Sequence, residues 1–308
     1  MRDVRGQKVY LERLPLGFSG LVLATLALGR LLDRVSPVLH LGLLVIGGLA
    51  LFFFIVKLLL TPQATLKQLE NPVQASSFAP FFMGLLLFIA DLPLPKALGL
   101  GLWYLVALAF LLYLPFFTKR FVFERWDLQA VYPTWFIVYI GVSMIAISGS
   151  QWEDYLLGRW VLLLASSLYP IMIGLVFWRL RKHGIEEAKK PLLAAIAAPT
   201  AILLTGYLSL PEAPNPYMLY PFLILSQLIY AYVLGLLIHL SRRLRSLYYT
   251  VFSFPLVSTN TALSLALERT KIGQYPFVSW LNAVEMLVTS LAVLYIWYVV
   301  LGELASQK

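Results

Sequence analysis

The 308-residue sequence contains no cysteine and only three histidines. Without cysteine, the chain has no disulfide framework, no zinc–thiolate site and no thiol nucleophile. The histidines are His40, His183 and His239; they lie in different segments, and no HExxH motif or glycine-rich phosphate loop accompanies them. We therefore expect no metal site, no cofactor and no enzymatic activity.

Charged residues are also scarce. They form 13% of the chain, against about 25% in soluble domains, whereas hydrophobic residues form 60%, against about 45–50%. This balance excludes a soluble globular protein and predicts an all-α integral membrane protein. No soluble domain, low-complexity tract or long linker interrupts the sequence, so residues 1–308 are expected to form a single transmembrane domain.

Helical membrane spans need about 20 mostly apolar residues. By this criterion the sequence contains ten candidate spans: 16–33, 38–60, 77–92, 97–117, 132–148, 160–178, 191–209, 217–240, 247–267 and 276–301. The loops between them are short, so consecutive spans must run antiparallel and form five helical hairpins. The first span follows a charged N-terminus and has no convincing small-residue cleavage site, so we expect it to be retained.

The distribution of lysine and arginine predicts the orientation of the spans. Six of the 24 basic residues fall on one side, and the other 18 lie in the N-terminus, the even-numbered loops and the C-terminal tail. The six are Arg30, Arg34, Lys96, Arg159, Arg269 and Lys271. Because basic residues concentrate in the cytoplasm, the N-terminal segment 1–15 and the tail 302–308 are both expected there. The net charge of +9 thus reflects topology and attraction to anionic lipid rather than nucleic-acid binding. The compact loops fit a prokaryotic inner (plasma) membrane.

Odd-numbered spans carry polar or helix-breaking residues, whereas spans two, four and eight are nearly unbroken runs of apolar side chains. This alternation predicts an inner ring of odd spans around a wet pore and an outer ring facing lipid. Close helix packing through small and hydroxyl residues is the alternative explanation. Candidate pore-lining residues on the first four odd spans are Gly17, Gly20, Pro80, Phe81, Gly84, Phe136, Tyr139, Ser143, Pro199 and Thr200.

Span nine contains the clearest feature of the sequence, the Phe254-Pro255 pair. Proline within a helix cannot donate a hydrogen bond to the carbonyl four residues earlier, and it predicts a kink. Thr250, Phe254, Ser258 and Thr261 fall on one helical face around this proline. We interpret this face as a pore wall in which the ring of Phe254 is the plug.

Glu285 is a carboxylate deep within span ten. It lies nine residues, or about 13 Å, from the start of the span at Pro276, which places it near the bilayer midplane. A charge at this depth requires a partner or a proton. Glu285 is therefore either a proton-coupling residue or the acceptor of an interhelical or intersubunit hydrogen bond.

Five sequence pieces, in order, resemble the tellurite-resistance/dicarboxylate transporter family, which includes the plant guard-cell slow anion channels. They are PLGFSG at Pro15 to Gly20, NPV at Asn71 to Val73, YPTWF at Tyr132 to Phe136, AAPTAILLTGYLSL at Ala197 to Leu210, and FSFPL at Phe252 to Leu256. The resemblance covers nearly the whole chain. The sequence departs from the family in lacking a proline inside span one, and span five has only Pro133 at its start; this departure predicts a pore of different width.

The resemblance implies five hairpins around a quasi-fivefold central pore, assembled as a homotrimer with one pore in each subunit. It implies transport of small inorganic or organic anions, occlusion by the phenylalanine that matches Phe254, and a span-one glycine that matches Gly20. A second hypothesis is a proton-linked carrier or exporter of dicarboxylate, sulfite or tellurite, which would use Glu285. A third, an integral membrane enzyme acting on lipid, would require a cluster of His, Asp or Glu near one membrane face.

Overall fold

The computed structural model describes residues 11–241 and 247–306. Most of the predicted N-terminal segment 1–15 and the end of the tail 302–308 therefore lie outside the described residues. So do several basic residues on which the predicted orientation depends: Arg2, Arg5, Lys8, Arg242, Arg243, Arg245 and Lys308.

The described residues form nine helical segments that are long and apolar enough to cross a membrane, together with one shorter apolar helix. The shorter helix is α1, Phe18–Leu32. The other nine are α2 (Pro37–Leu60), α3 (Pro72–Asp91), α4 (Lys96–Glu124), α5 (Trp135–Trp152), α6 (Tyr155–His183), α7 (Glu187–Leu208), α8 (Pro216–Ser241), α9 (Leu247–Arg269) and α10 (Pro276–Ser306). A short helix, Pro62–Gln68, connects α2 to α3.

Helix α1 differs from the predicted first span. It has 15 residues, which at 1.5 Å per residue extend about 22 Å and fall short of a hydrocarbon core of about 30 Å. The all-helical membrane architecture is confirmed, with nine segments of sufficient length in the described part of the chain. The count of ten spans and the fivefold symmetry stay predictions.

Local sequence determines where the segments begin and where they break. Proline occupies the first turn of α2 and of α3, where the helix needs no N–H donor. Asn71 caps α3 by accepting hydrogen bonds from the backbone N–H groups of Val73 and Gln74. Several odd-numbered segments are irregular: α5, for example, contains the 3₁₀ turn Gly141–Ser143, and α7 begins as the 3₁₀ helix Glu187–Ile196.

Burial alternates along the chain, as the sequence predicted. In their most apolar stretches, α3, α5, α7 and α9 have 72–83% of residues buried, whereas α2, α4, α6 and α8 have 28% and α10 has 39%. Nearly every residue of α1 is buried. The odd-numbered segments are therefore the core of the fold, and the even-numbered segments cover them.

The core segments close a ring. Each of α1, α3, α5 and α7 packs against the next odd-numbered segment, and α9 packs against α1. Each odd segment also packs against the even segment that follows it. This arrangement places one long face of every core segment toward a common axis.

Candidate functional site

Three cavities are lined mainly by the odd-numbered segments. The smallest of them shares lining residues with each of the other two. The first, which we call the upper cavity, has a volume of about 240 Å³. Its lining residues are Ala27, Arg30, Leu31, Arg34, Leu87, Met144, Ile147, Ser150, Ile202, Thr205, Ser209, Phe254, Ser258, Thr261 and Leu265. All five core segments, or their ends, contribute to this lining.

The second, which we call the lower cavity, has a volume of about 600 Å³. Its lining residues are Arg13, Pro15, Gly17, Gln68, Gln74, Ser77, Leu247, Tyr248, Thr250, Val251 and Glu303. A third cavity of about 20 Å³, the narrow space, shares Gly17, Ser77, Thr250 and Val251 with the lower cavity.

The narrow space is formed by apolar groups from every core segment. Gly20 comes from α1, Pro80 from α3, Ile137 from α5, Ala198 from α7, and Phe254 with Pro255 from α9. A volume of about 20 Å³ accommodates about one water molecule, which needs roughly 10–15 Å³ by this measure. The space is therefore too small for a hydrated ion.

Phe254 lines both the narrow space and the upper cavity. Its side chain is buried, with 5% of the residue exposed. The predicted stripe on α9 is present: Phe254, Ser258 and Thr261 line the upper cavity, and Thr250 lines the lower cavity and the narrow space. The helix itself continues through Pro255 from Thr250 to Arg269.

Hydroxyl groups of the upper cavity hydrogen-bond to their own helices. Ser258 donates to the Pro255 carbonyl at 3.1 Å, and Thr261 donates to the Val257 carbonyl at 2.8 Å. Thr205 on α7 donates to its own helix in the same way, at 2.8 Å. These local bonds satisfy the hydroxyl hydrogens, and a solute that accepts hydrogen bonds must exchange with a helix carbonyl to use them.

Two arginines in the upper cavity form ion pairs. Arg30 Nε lies 2.8 Å from Asp91 Oδ1, and Arg34 Nη2 lies 2.9 Å from Glu268 Oε2. Burial lowers the pKa of Arg34, and the charge of Glu268 acts in the opposite direction. Sequence reasoning had assigned both arginines only to the outer side of the membrane. For Arg34 the available signal was its spacing, because it follows Gly20 by fourteen residues and a step of this length stays close to one helix face.

Half of the predicted pore-lining residues lie outside these three linings, where they pack against other helices. The ring of Phe81 packs against that of Phe54 of α2, with the ring centres 5.5 Å apart and the planes tilted by 43°. Gly84 lies against Leu23 of α1. Phe136 packs near Tyr169 of α6. For these residues the alternative explanation, close helix packing, describes the observed contacts.

The other four predicted residues outside the three linings are also buried among the helices; they are Tyr139, Ser143, Pro199 and Thr200. Tyr139 shares a 3.0 Å hydrogen bond with Thr118 of α4, and Thr200 shares one of 2.6 Å with Tyr169 of α6. Ser143 is fully buried and its hydroxyl has no hydrogen-bond partner. Pro199 is buried in the first turn of Ala198–Leu208, the α-helical part of α7. None of these four residues lines the upper cavity, the lower cavity or the narrow space, and their pore-lining role stays a prediction.

Glu285 also lies away from the cavities. Its residue is 5% exposed, and its carboxylate accepts from Asn260 Nδ2 at 3.4 Å. With its amide nitrogen turned toward the carboxylate, Gln227 donates to Glu285 Oε1 at 2.5 Å. Asn260 also donates to Asn282, so the cluster joins α8, α9 and α10 behind the cavity-lining face of α9.

The sequence profile described as voltage-dependent anion channel matches residues 13–303. The chain belongs to this family. The match confirms the resemblance drawn from the five sequence pieces, and it covers every segment from α1 to α9 and most of α10. The protein is therefore a multi-pass membrane member of an anion channel and transporter family. No curated protein matches the sequence significantly.

Proposed function

We propose that the protein conducts small anions along the path formed by the lower cavity, the narrow space and the upper cavity, and that Phe254 closes this path. The observation that carries the proposal is the position of Phe254, which borders both the narrow space and the upper cavity. Family membership supplies the transported class, small anions.

The apolar narrow space explains how one ring would block the path. An ion that enters a space for about one water loses most of its hydration, at a cost of at least several kcal/mol. Rotation of the Phe254 ring toward the larger upper cavity would widen the space. An off-rotamer ring costs about 0.5–1.5 kcal/mol, so opening is much easier than forcing an ion through the closed path.

The lining favours anions over cations through donors and basic residues rather than a tight binding site. Arg30 and Arg34 line the upper cavity, and their carboxylate partners Asp91 and Glu268 are not part of its lining. Arg13 lines the lower cavity together with Glu303. The narrow space itself is bordered by no carboxylate. A path of this kind should rank anions by how easily they dehydrate, with nitrate ahead of chloride.

Ion pairs near Arg30, at one end of the ring of core segments, support the proposed topology of ten spans with both termini on the opposite, cytoplasmic side. Arg30 pairs with Asp91, Arg34 with Glu268, Lys96 with Glu153, and Arg159 with Glu212. Four of the six basic residues assigned to the outer side thus lie in, or next to, loops that pair at one end of the ring. The quasi-fivefold arrangement, the homotrimer and the inner (plasma) membrane location belong to the same proposal.

The proton-linked carrier of dicarboxylate, sulfite or tellurite is the second hypothesis. Its coupling residue would be Glu285, which lies outside the three cavity linings and hydrogen-bonds to Asn260. This position supports the passive path over the carrier.

Flux into liposomes tests the proposal. Purified protein should dissipate chloride and nitrate gradients, faster in the Phe254→Ala variant, and should leave a potassium gradient intact. Potassium flux without anion flux would overturn the anion path. Uptake of malate or sulfite that requires a proton gradient, with no passive chloride flux, would favour the carrier instead.

A further inference from the structure

A groove of about 390 Å³ lies apart from the path, at the junction of α6, α7 and α8. Its lining is mostly aliphatic and aromatic, with one cation at one end. The lining residues are Arg159, Leu162, Leu163, Ser166, Tyr169, Leu203, Leu204, Tyr207, Leu210, Met218 and Phe222. None of them lines the upper cavity, the lower cavity or the narrow space.

The length of the groove matches one leaflet of a bilayer. Along α6 it extends from Arg159 to Tyr169, ten residues or about 15 Å. The hydrocarbon core is about 30 Å thick, so the groove reaches from one membrane face to about the midplane. At its deep end, the Tyr169 hydroxyl is bonded to Thr200 and needs no further partner.

The walls of the groove continue into apolar surface. Trp160 and Leu163 on α6 are 63% and 59% exposed, and Tyr217 and Ile224 on α8 are 90% and 61% exposed. Surfaces of this kind face hydrocarbon in a membrane protein, so the groove opens toward lipid chains rather than toward water.

The membrane-face end of the groove carries net positive charge. Arg159 pairs with Glu212, and Arg269 donates to the carbonyl oxygens of Leu210 at 2.7 Å and Glu212 at 2.9 Å. Hydrogen bonds from its own backbone and from Arg159 lower the pKa of Glu212, so this carboxylate is ionised at neutral pH. Together Arg159, Arg269 and Glu212 sum to one positive charge at this end, and of the three only Arg159 lines the groove.

We propose that this groove binds one anionic phospholipid. One acyl chain lies along the groove between α6 and α8, and the phosphodiester accepts hydrogen bonds from Arg159 at the membrane face. The proposal depends on the membrane location of the chain and not on which ion it transports.

Adjacent serines on α6 provide a matched pair of variants. Ser166 and Ser167 are both exposed, but only Ser166 lines the groove. Ser166→Trp should fill the groove, whereas Ser167→Trp places the same ring in the annular lipid. Each variant is reconstituted in vesicles of equal parts phosphatidylglycerol and phosphatidylcholine, and retained lipid is counted by native mass spectrometry after mild detergent extraction.

We expect wild type and Ser167→Trp to retain one phosphatidylglycerol per chain and Ser166→Trp to lose it. Arg159→Gln should reduce the preference for phosphatidylglycerol over phosphatidylcholine by about fivefold, the contribution of one basic residue at an anionic surface. Equal lipid retention by the two tryptophan variants, with both monodisperse, would overturn the site. A change of oligomeric state specific to Ser166→Trp would also overturn it, because a second copy of the chain would then occupy the groove.

Discussion

Truncation of Phe254 to alanine should convert a closed path into an open one. The ring borders a space of about 20 Å³, so removing it joins the narrow space to the upper cavity. If the closed path costs an ion only about 3 kcal/mol, near the low end for burying an unsolvated polar group, the rate of passage should rise about a hundredfold. Phe254→Leu, which retains an apolar plug, should give an intermediate increase.

Phe252 provides the control for this prediction. It is on the same helix, fully buried, and packed against Tyr249 at a ring distance of 5.6 Å. Phe252 is absent from all three cavity linings. Phe252→Ala should therefore destabilise the fold by about 3–5 kcal/mol, as large-to-small core changes do, without raising the conductance.

Planar bilayer recordings in a chloride gradient measure both effects. Phe254→Ala should show a large current whose reversal potential follows the chloride gradient, while wild type and Phe252→Ala show a small one. A folded Phe254→Ala protein with the wild-type current would refute the reasoning. So would an increased current that reverses at the potassium equilibrium potential, because the ring would then close a cation path.

Three further predictions separate the cavity lining from the surrounding contacts. Arg30→Gln, measured in the Phe254→Ala background, should reduce the chloride-to-potassium permeability ratio, and adding Asp91→Asn should restore thermal stability but not selectivity. Glu285→Gln should leave the pH dependence of chloride flux unchanged, since its carboxylate lies off the path; a flattened pH profile would restore the carrier hypothesis. Thr200→Val should lower the free energy of unfolding by about 1 kcal/mol through loss of a hydrogen bond and leave the conductance unchanged. Thr205→Val should alter the conductance. The reverse result would place Thr200 on the path.

The sequence predicted the layers of the fold well. Apolar runs located the spans, and the contrast between polar odd segments and apolar even segments correctly predicted which ones are buried. It also predicted that Thr250, Phe254, Ser258 and Thr261 share one face of α9, and all four line the cavities; their role as a pore wall stays a prediction. These features depend on local composition and helical spacing, which one sequence contains.

The orientation of α5 and α7 about their own axes could not be predicted in this way. Both segments are buried on nearly all sides. Neither has an apolar, lipid-exposed face in its sequence pattern from which the opposite, cavity-facing side could be identified. Tyr139 and Thr200 satisfy their hydrogen bonds on outer helices instead of lining a cavity. In a membrane, hydroxyl groups commonly hydrogen-bond to neighbouring helices whether or not water is near, and only the packed structure shows which partners Tyr139 and Thr200 have.

The cavities on either side of Phe254 also determine how a membrane potential would act on the path. Electrolyte filling the upper and lower cavities would carry the bulk potential to both ends of the narrow space, and most of the voltage drop would fall across it. A monovalent ion crossing there would experience most of the roughly 2.3 kcal/mol that 100 mV supplies within a few residues. The Phe254 ring carries no charge, so its rotation moves no gating charge. Voltage would therefore drive the permeating ion and exert no direct force on the ring.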